Sequence, residues 1–282
     1  MNQSYTPLRY PGGKAAIIQM MIDTIILNKL QLYHYAEPFA GGCGLALGLL
    51  MRGYVSHIHI NDIDKGIWSF WHSVLTETDR FVSKMWSTDV TIDEWHKQRE
   101  IIRAPERFDP FELGFATFFM NRTNRSGIIS AGVIGGLKQE GHYLLDCRFN
   151  KERLEHRIRR IKLYAKNIHL TNLDAVDFLN DIDASPYKML LCIDPPYYKK
   201  GQSLYTNFYK SEDHVILANK ISQLRKPWII TYDNESVIKN LYLKYKMIQY
   251  NLNYFAHEKR VGTELMIFSN DINIPSDYNV AV

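Results

Sequence analysis

Apolar residues recur at two periods along this chain, and the change between them outlines its organisation. Residues 14–32 carry them at helical spacing, with Ile17, Ile18, Met21, Ile25 and Ile26 on one side. Residues 34–39 read as a short strand that runs into the turn Ala40-Gly41-Gly42, and 43–52 as a buried helix closed by Gly53. Residues 57–60 alternate and end at Asn61-Asp62. Strand, glycine turn, helix, strand and acid form the first half of a nucleotide-binding βαβ unit.

From about residue 64 to 166 the rhythm is helical. Aromatic-rich stretches at 67–75, 92–102 and 111–119 follow one another without strands. A glycine-rich segment (126–141) and a basic helix (151–166) come next. Strand patterns then return at 168–171, 189–193 and 228–231, with crossing helices at 214–224 and 236–243. Two last strands, 247–252 and 264–269, read as a hairpin. The pattern predicts an α/β fold, a Rossmann-like sheet built from residues 1–64 and 167–282 and interrupted by a mainly helical insertion, 65–166.

Composition narrows the class. With 282 residues, 46 % of them hydrophobic and 23 % charged, the chain is expected to be a soluble globular enzyme rather than a disordered or fibrous one. No apolar run approaches the roughly 20 residues of a membrane helix, and residues 1–14 carry no signal-peptide core, so a place inside the cell is expected. Cys43, Cys147 and Cys192 are odd in number and scattered, which argues against a disulfide framework or zinc ribbon and predicts buried thiols. The ten histidines are dispersed, with no pair at metal-ligand spacing, and no metal is expected. Charge is uneven. Residues 121–166 hold eleven Lys/Arg against four Asp/Glu, an excess of +7, so the remainder sums to −3. Either a polyanion-binding surface or a solvated amphipathic helix produces such a segment.

The sharpest chemical signal is Asp194-Pro195-Pro196-Tyr197, directly after the apolar strand 189–193. Two prolines remove two amide donors and stiffen the turn, and a strand-end carboxylate points into the crevice where α/β sheets bind ligands. The Asp194 carboxylate and the Pro195 carbonyl can both accept from an exocyclic amine. Together they draw the nitrogen lone pair out of conjugation and aim it at an electrophile. Tyr197 offers a face for a planar base. A second signal is Glu37-Pro38-Phe39-Ala40-Gly41-Gly42-Cys43-Gly44, with Asp62 about twenty residues on, placed for a ribose hydroxyl pair. Asp64 competes for that role but suits a helix N-cap. The third is Tyr10-Pro11-Gly12-Gly13-Lys14, which lacks the spacing of a phosphate loop.

Taken together, the three motifs resemble the Dam-type DNA adenine-N6 methyltransferases, from Tyr10 to about Phe268. The resemblance implies transfer of a methyl group from S-adenosylmethionine to N6 of an adenine flipped out of double-stranded DNA, by direct displacement and without a metal. It implies cofactor contacts at Tyr10, Lys14, Glu37, Phe39, Gly41, Asp62 and Asp174, with Asp177 a weaker rival for the last. It places Asp194 between the target amine and the cofactor, with Pro195 and Tyr197 completing the catalytic group. Asn121 to Gly127 is similar to a DNA-touching feature of the family, which makes Arg122, Asn124 and Arg125 candidate DNA contacts. Residues 130–141 differ from the members that methylate adenine in GATC, so the sequence read is not carried over. Residues 205–209 are a candidate loop over the flipped base. Methylation of RNA adenine or cytosine N4, or a silent nucleic-acid-binding regulator, are the alternatives; glutamine methylation usually goes with Asn-Pro-Pro-Tyr. A cytoplasmic, nucleoid-associated monomer or weak dimer is expected, with room for a cognate restriction enzyme as partner.

Overall fold

The computed structural model describes residues 4–9, 14–199, 209–254 and 260–278. The chain divides into two compact units, one of residues 14–63 and 167–282, the other of residues 1–13 and 64–166.

The first unit is built on a seven-stranded sheet in the order β3-β2-β1-β4-β5-β7-β6. Its strands are β1 (His34–Glu37), β2 (His57–Asn61), β3 (Ile168–Thr171), β4 (Met189–Ile193), β5 (Trp228–Asp233), β6 (Lys246–Tyr254) and β7 (Arg260–Phe268). Strands β1 to β5 pair in parallel, and β7 runs antiparallel to both β5 and β6. This is the expected Rossmann-like sheet. Every residue of β4 and β5 is buried, which explains why β4 and the start of β5 read as unbroken apolar runs rather than alternating ones. Flanking helices are α1 (Ile18–Leu27), α2 (Gly44–Met51), α8 (Ala175–Ala184), α9 (Ser211–Ile221) and α10 (Ser236–Leu241). Helix α8 was not among the expected crossing helices, although Asp177 suits an exposed helix position, as found, and Ala175, Phe178, Leu179 and Ile182 carry the helical period and are its buried face. Strand β1 lies between β2 and β4, and the chain order reverses there, so the C-terminal ends of β1 and β4 open the crevice that binds ligands in such sheets.

The second unit is helical: α3 (Lys65–Thr76), α4 (Thr78–Ser87), α5 (Ile92–Arg103), α6 (Pro110–Thr123) and α7 (Lys151–Lys162). Helix α4 also escaped the sequence reading. Asp64 caps α3, accepting from the Gly66 and Ile67 amides, so its N-cap reading holds. Rings of Phe70, Phe81, Phe115 and Phe118 pack edge-on and stacked at the centre. Helix α6 reaches α3 at Gly114, where a Cβ would stand 2.4 Å from the Ser69 carbonyl oxygen.

The N-terminal residues differ from expectation, which placed them with the sheet. The Arg9 amide donates to Asn121 Oδ1 at 2.7 Å, Asn121 Nδ2 donates back to the Arg9 carbonyl at 2.7 Å, and Arg9 Nη1 reaches the Asn124 carbonyl at 3.1 Å. These bonds tie the segment to the helical unit.

Candidate active site

The C-terminal rim of the sheet is organised by a buried amide that the sequence reading passed over. Asn61 Nδ2 donates to the carbonyls of Pro38 and Leu173, and Asn61 Oδ1 accepts from Thr171 Oγ1 and the Leu173 amide. One side chain thereby fastens the ends of β1, β2 and β3, the ends that carry Glu37, Asp62 and Asp174. The glycine turn follows β1. Gly41 sits at φ 44° and Cys43 at φ 51°, left-handed conformations that turn the chain sharply into α2. Asp62 Oδ2 accepts from the Gly41 amide at 2.8 Å, which locks the turn to the end of β2.

Glu37 is buried and accepts from Tyr35 Oη at 3.0 Å. Burial pushes its carboxyl up to about 8, Asp194 adds to the rise, and the bond from Tyr35 opposes it. Phe39 is half-buried and meets the edge of Tyr209, ring centroids 5.8 Å apart. Asp174 is exposed and caps α8 through the Val176 amide; Asp177 lies exposed in the first turn of that helix. Tyr10 lies outside the described residues, as do 205–208 of the candidate loop.

Asp194 follows β4 and keeps about a quarter of its side chain exposed (24 %). Its Oδ1 pairs with Lys14 Nζ at 2.9 Å and accepts from Thr231 Oγ1 at 2.7 Å. Burial raises its carboxyl above the ordinary range and Glu264 raises it further, while Lys14 opposes both. Lys14, 8 % exposed, also donates to Tyr197 Oη at 2.7 Å. Pro195, Pro196 and Tyr197 are all buried. The segment beyond is pinned by Asp233, whose two carboxylate oxygens accept from the Tyr198 amide (3.0 Å) and the Lys199 amide (2.9 Å). Thr231, Asp233 and Glu264 were not singled out from sequence. Their signal was a polar or acidic side chain at the C-terminal end of β5 or inside β7, two strands that otherwise read as core.

The structure therefore brings Lys14, Glu37 and Asp194 into one electrostatically coupled group. Asp62 and Gly41 stand together at the neighbouring strand end. Carboxylates at the ends of β1 and β2 and after β4, beside a glycine turn, suit a cationic ligand that also carries hydroxyl groups. Among the described residues no cluster of three or more His, Cys, Asp or Glu is arranged to hold a metal ion. Nor is any helix of the described residues long and apolar enough to cross a membrane.

In the helical unit two of the three DNA-contact expectations meet a different use. Arg122 is 8 % exposed and donates to the Arg148 carbonyl through Nε (2.7 Å) and Nη2, and to the Pro7 carbonyl through Nη1 (3.4 Å). Burial, then Arg9, Arg157 and Arg148, push its guanidinium down to about 9, which still leaves it charged at neutral pH. Asn124 is fully buried; it accepts from Trp95 Nε1 at 2.7 Å and donates to the carbonyls of Ile128 and Ile129. Both side chains hold the unit's own backbone. Arg125 is exposed, and with Trp95, Arg99, Gly132 and Leu137 it lines a cavity of about 440 Å³.

The basic helix α7 buries Leu154, Ile158 and Ile161 and spends several of its charges on the unit itself. Lys151 binds the carbonyls of Trp86 and Thr88, Arg157 that of Thr6 and Lys162 that of Leu75; Arg159 pairs with Asp79 and Glu155. Much of the charge excess thus serves folding. Cys43 and Cys192 are buried as expected, whereas Cys147 is exposed. The histidines are not all dispersed in space. His34, His57, His59 and His169 stack on one face of β1 to β3, and burial with mutual repulsion pushes His59 down to about 3.

A sheet whose β7 runs against its neighbours, with a glycine turn after β1 and Asp-Pro-Pro-Tyr after β4, defines a Rossmann-like methyltransferase. The chain belongs to the D12 class N6 adenine-specific DNA methyltransferase family, whose model matches residues 10–254. It is an adenine-specific DNA methyltransferase. Among relatives, the Type II methyltransferase M.MjaIII of Methanocaldococcus jannaschii is 22 % identical over 239 residues, 78 % of this chain and 80 % of that protein. Among solved structures, PH1948 of Pyrococcus horikoshii, described as a candidate RNA methyltransferase, covers 93 % of this chain and 88 % of its own, at 9 % identity and a TM-score of 0.45.

Proposed function

We propose that the chain methylates adenine N6 at the C-terminal rim of its sheet, with Asp194 and the Pro195 carbonyl as the two acceptors for the amine. The observation that carries the reading is the placement of Asp194. Its carboxylate follows β4, is held on Oδ1 by Lys14 and Thr231, and keeps part of its surface exposed. A carboxylate fixed in this way can hold an NH₂ group in one orientation, and alignment supplies much of the rate of a displacement. S-adenosylmethionine supplies an electrophilic methyl group when bound. The residues present suit it: Glu37 and Asp194 for the cationic end, Gly41 and Phe39 for close approach, Asp62 for the ribose and Asp174 for the adenine. Tyr10 joins this set from outside the described residues.

Asp194 accepts one amine proton as a hydrogen bond and so raises the electron density on the nitrogen. As that nitrogen gains the methyl group it becomes more acidic, and the donor sulfur is left as a neutral thioether. The same carboxylate stabilises the charge that develops, while the surplus amine proton passes by way of Asp194 to solvent. Tyr197 offers its ring to the target base after the base rotates out of the duplex. Its hydroxyl, held by Lys14, fixes the plane of that ring. Arg125 contacts the DNA from the helical unit. The cellular setting is the cytoplasm and its nucleoid, as a monomer or weak dimer. The name of the Type II relative favours a restriction enzyme as functional partner.

The test is Asp194→Ala, assayed with tritiated cofactor on DNA, RNA and protein in parallel. Losing a group that stabilises the transition state lowers kcat by about 10²–10³-fold, so label in DNA should nearly vanish. Near-normal transfer to DNA by the variant would sink the role given to Asp194. Transfer by the unaltered chain to RNA in place of DNA would overturn the substrate.

A further inference from the structure

Glu264 lies in β7, where Tyr250 of β6 and Asp233 of β5 are its direct cross-strand partners. It is 1 % exposed, in a strand whose following residues, Leu265 to Phe268, are all apolar core. A carboxylate removed from water this completely is stable only if its lone pairs are occupied. They are occupied by groups of the active site. Oε1 accepts from Tyr197 Oη, and Oε2 accepts from Tyr250 Oη at 2.5 Å and stands 3.5 Å from Lys14 Nζ. Lys14 in turn is paired with Asp194. The lysine thus lies between two carboxylates, one that meets the substrate amine in the proposed mechanism and one that does not.

We propose that Glu264 is a positioning residue for adenine methylation, holding the Tyr197 ring and sharing the Lys14 charge so that Asp194 stays a strong acceptor. The role rests on the reading of Asp194 given above. Its physical basis is charge division. A single ammonium between two carboxylates neutralises neither completely, and the group Lys14, Asp194 and Glu264 keeps one net negative charge for a cationic donor and an amine. Without the second carboxylate, Lys14 turns wholly to Asp194 and weakens it as an acceptor. Tyr197 loses the anchor on its hydroxyl at the same time. The position of Glu264 also explains the antiparallel strand in chemical terms. One face of β5, β7 and β6 presents Thr231, Asp233, Glu264 and Tyr250. Between them they grip Asp194, Tyr197 and the two amides that follow.

The test is steady-state kinetics of Glu264→Gln and Glu264→Asp on DNA across pH, with cofactor affinity measured separately by calorimetry. The glutamine variant should lose about tenfold or more in kcat while KM for DNA and cofactor affinity change by less than about threefold. Its acid limb should move to lower pH, because the negative charge that raises Asp194 has gone. The aspartate variant keeps the charge but is one methylene short. It should leave the acid limb in place and still lose kcat, and it serves as the arm to read if the glutamine variant fails to fold. Wild-type kcat in either variant overturns the proposal. An acid limb unmoved in a folded glutamine variant also overturns it, because a merely structural glutamate would behave that way. Asp194→Ala run alongside separates the two readings: if that variant is active, the role of Asp194 fails first; if it is inactive while Glu264→Gln is normal, only the role of Glu264 fails.

Discussion

Replacing Arg122 by alanine separates a folding role from a DNA-binding role at a residue whose type suggests the latter. The guanidinium is buried and bonds two backbone carbonyls, those of Arg148 and Pro7. A hydrogen bond to a charged group contributes about 1.5–3 kcal/mol, and an acceptor left unpaired in the interior costs about as much as the lost bond. Removing the buried stem adds about 0.8 kcal/mol per methylene. Against these losses stands relief from three neighbouring cations, Arg9, Arg148 and Arg157, and from the cost of burying the charge itself. The balance is a destabilisation of about 2–3 kcal/mol, large for a single substitution. Urea unfolding followed by tryptophan fluorescence reads it well, because Trp68, Trp71, Trp86 and Trp95 lie in the helical unit and only Trp228 lies in the sheet. The midpoint should fall by about 1 M for an ordinary slope. Arg125→Ala is the counterpart. It should leave the midpoint within error, weaken DNA binding and reduce the salt slope of binding by about 1. An unchanged midpoint for Arg122→Ala together with a reduced salt slope would refute the assignment.

Two further outcomes follow from the site and the helical core. Glu37 has its folded pKa raised from 4.5 to about 8; the stability this contributes is complete below about pH 4.5 and is lost as pH rises through about 8. Binding of a cationic cofactor near neutral pH should therefore ionise Glu37 and release up to one proton. Calorimetry in buffers of different ionisation enthalpy measures that release, and Glu37→Gln should abolish it. Gly114→Ala should destabilise the helical unit by about 1–3 kcal/mol, since the new methyl group meets the Ser69 backbone and α3 must move away; an unchanged unfolding midpoint would show that the helices yield freely.

The sheet was legible where its strands are buried throughout, so 189–193 and the start of 228–233 stand out as apolar runs, while 34–37 was legible from the glycine turn that follows it. Asp194 and the glycine turn were legible for a related reason: chemistry at a strand end needs unusual residues in short, contiguous groups. The helices α4 and α8 were missed, though α8 carries a clear period, because ten-residue segments between stronger signals read as connection.

Local sequence by itself determined the strand ends, the turn after β1 and the Asp-Pro-Pro-Tyr segment after β4, because each depends on residues a few positions apart. Only the tertiary structure decided which charges are spent on the chain's own backbone and which stand exposed or at the strand ends. Arg122 and Arg125 are three residues apart and alike in type, yet one is buried against backbone carbonyls and the other is exposed. Glu264 comes to Tyr197 and Lys14 across 67 and 250 positions of chain, because β7 inserts between β5 and β6. Burial and long-range pairing are properties of the folded chain, and no local pattern encodes the partner of a buried charge.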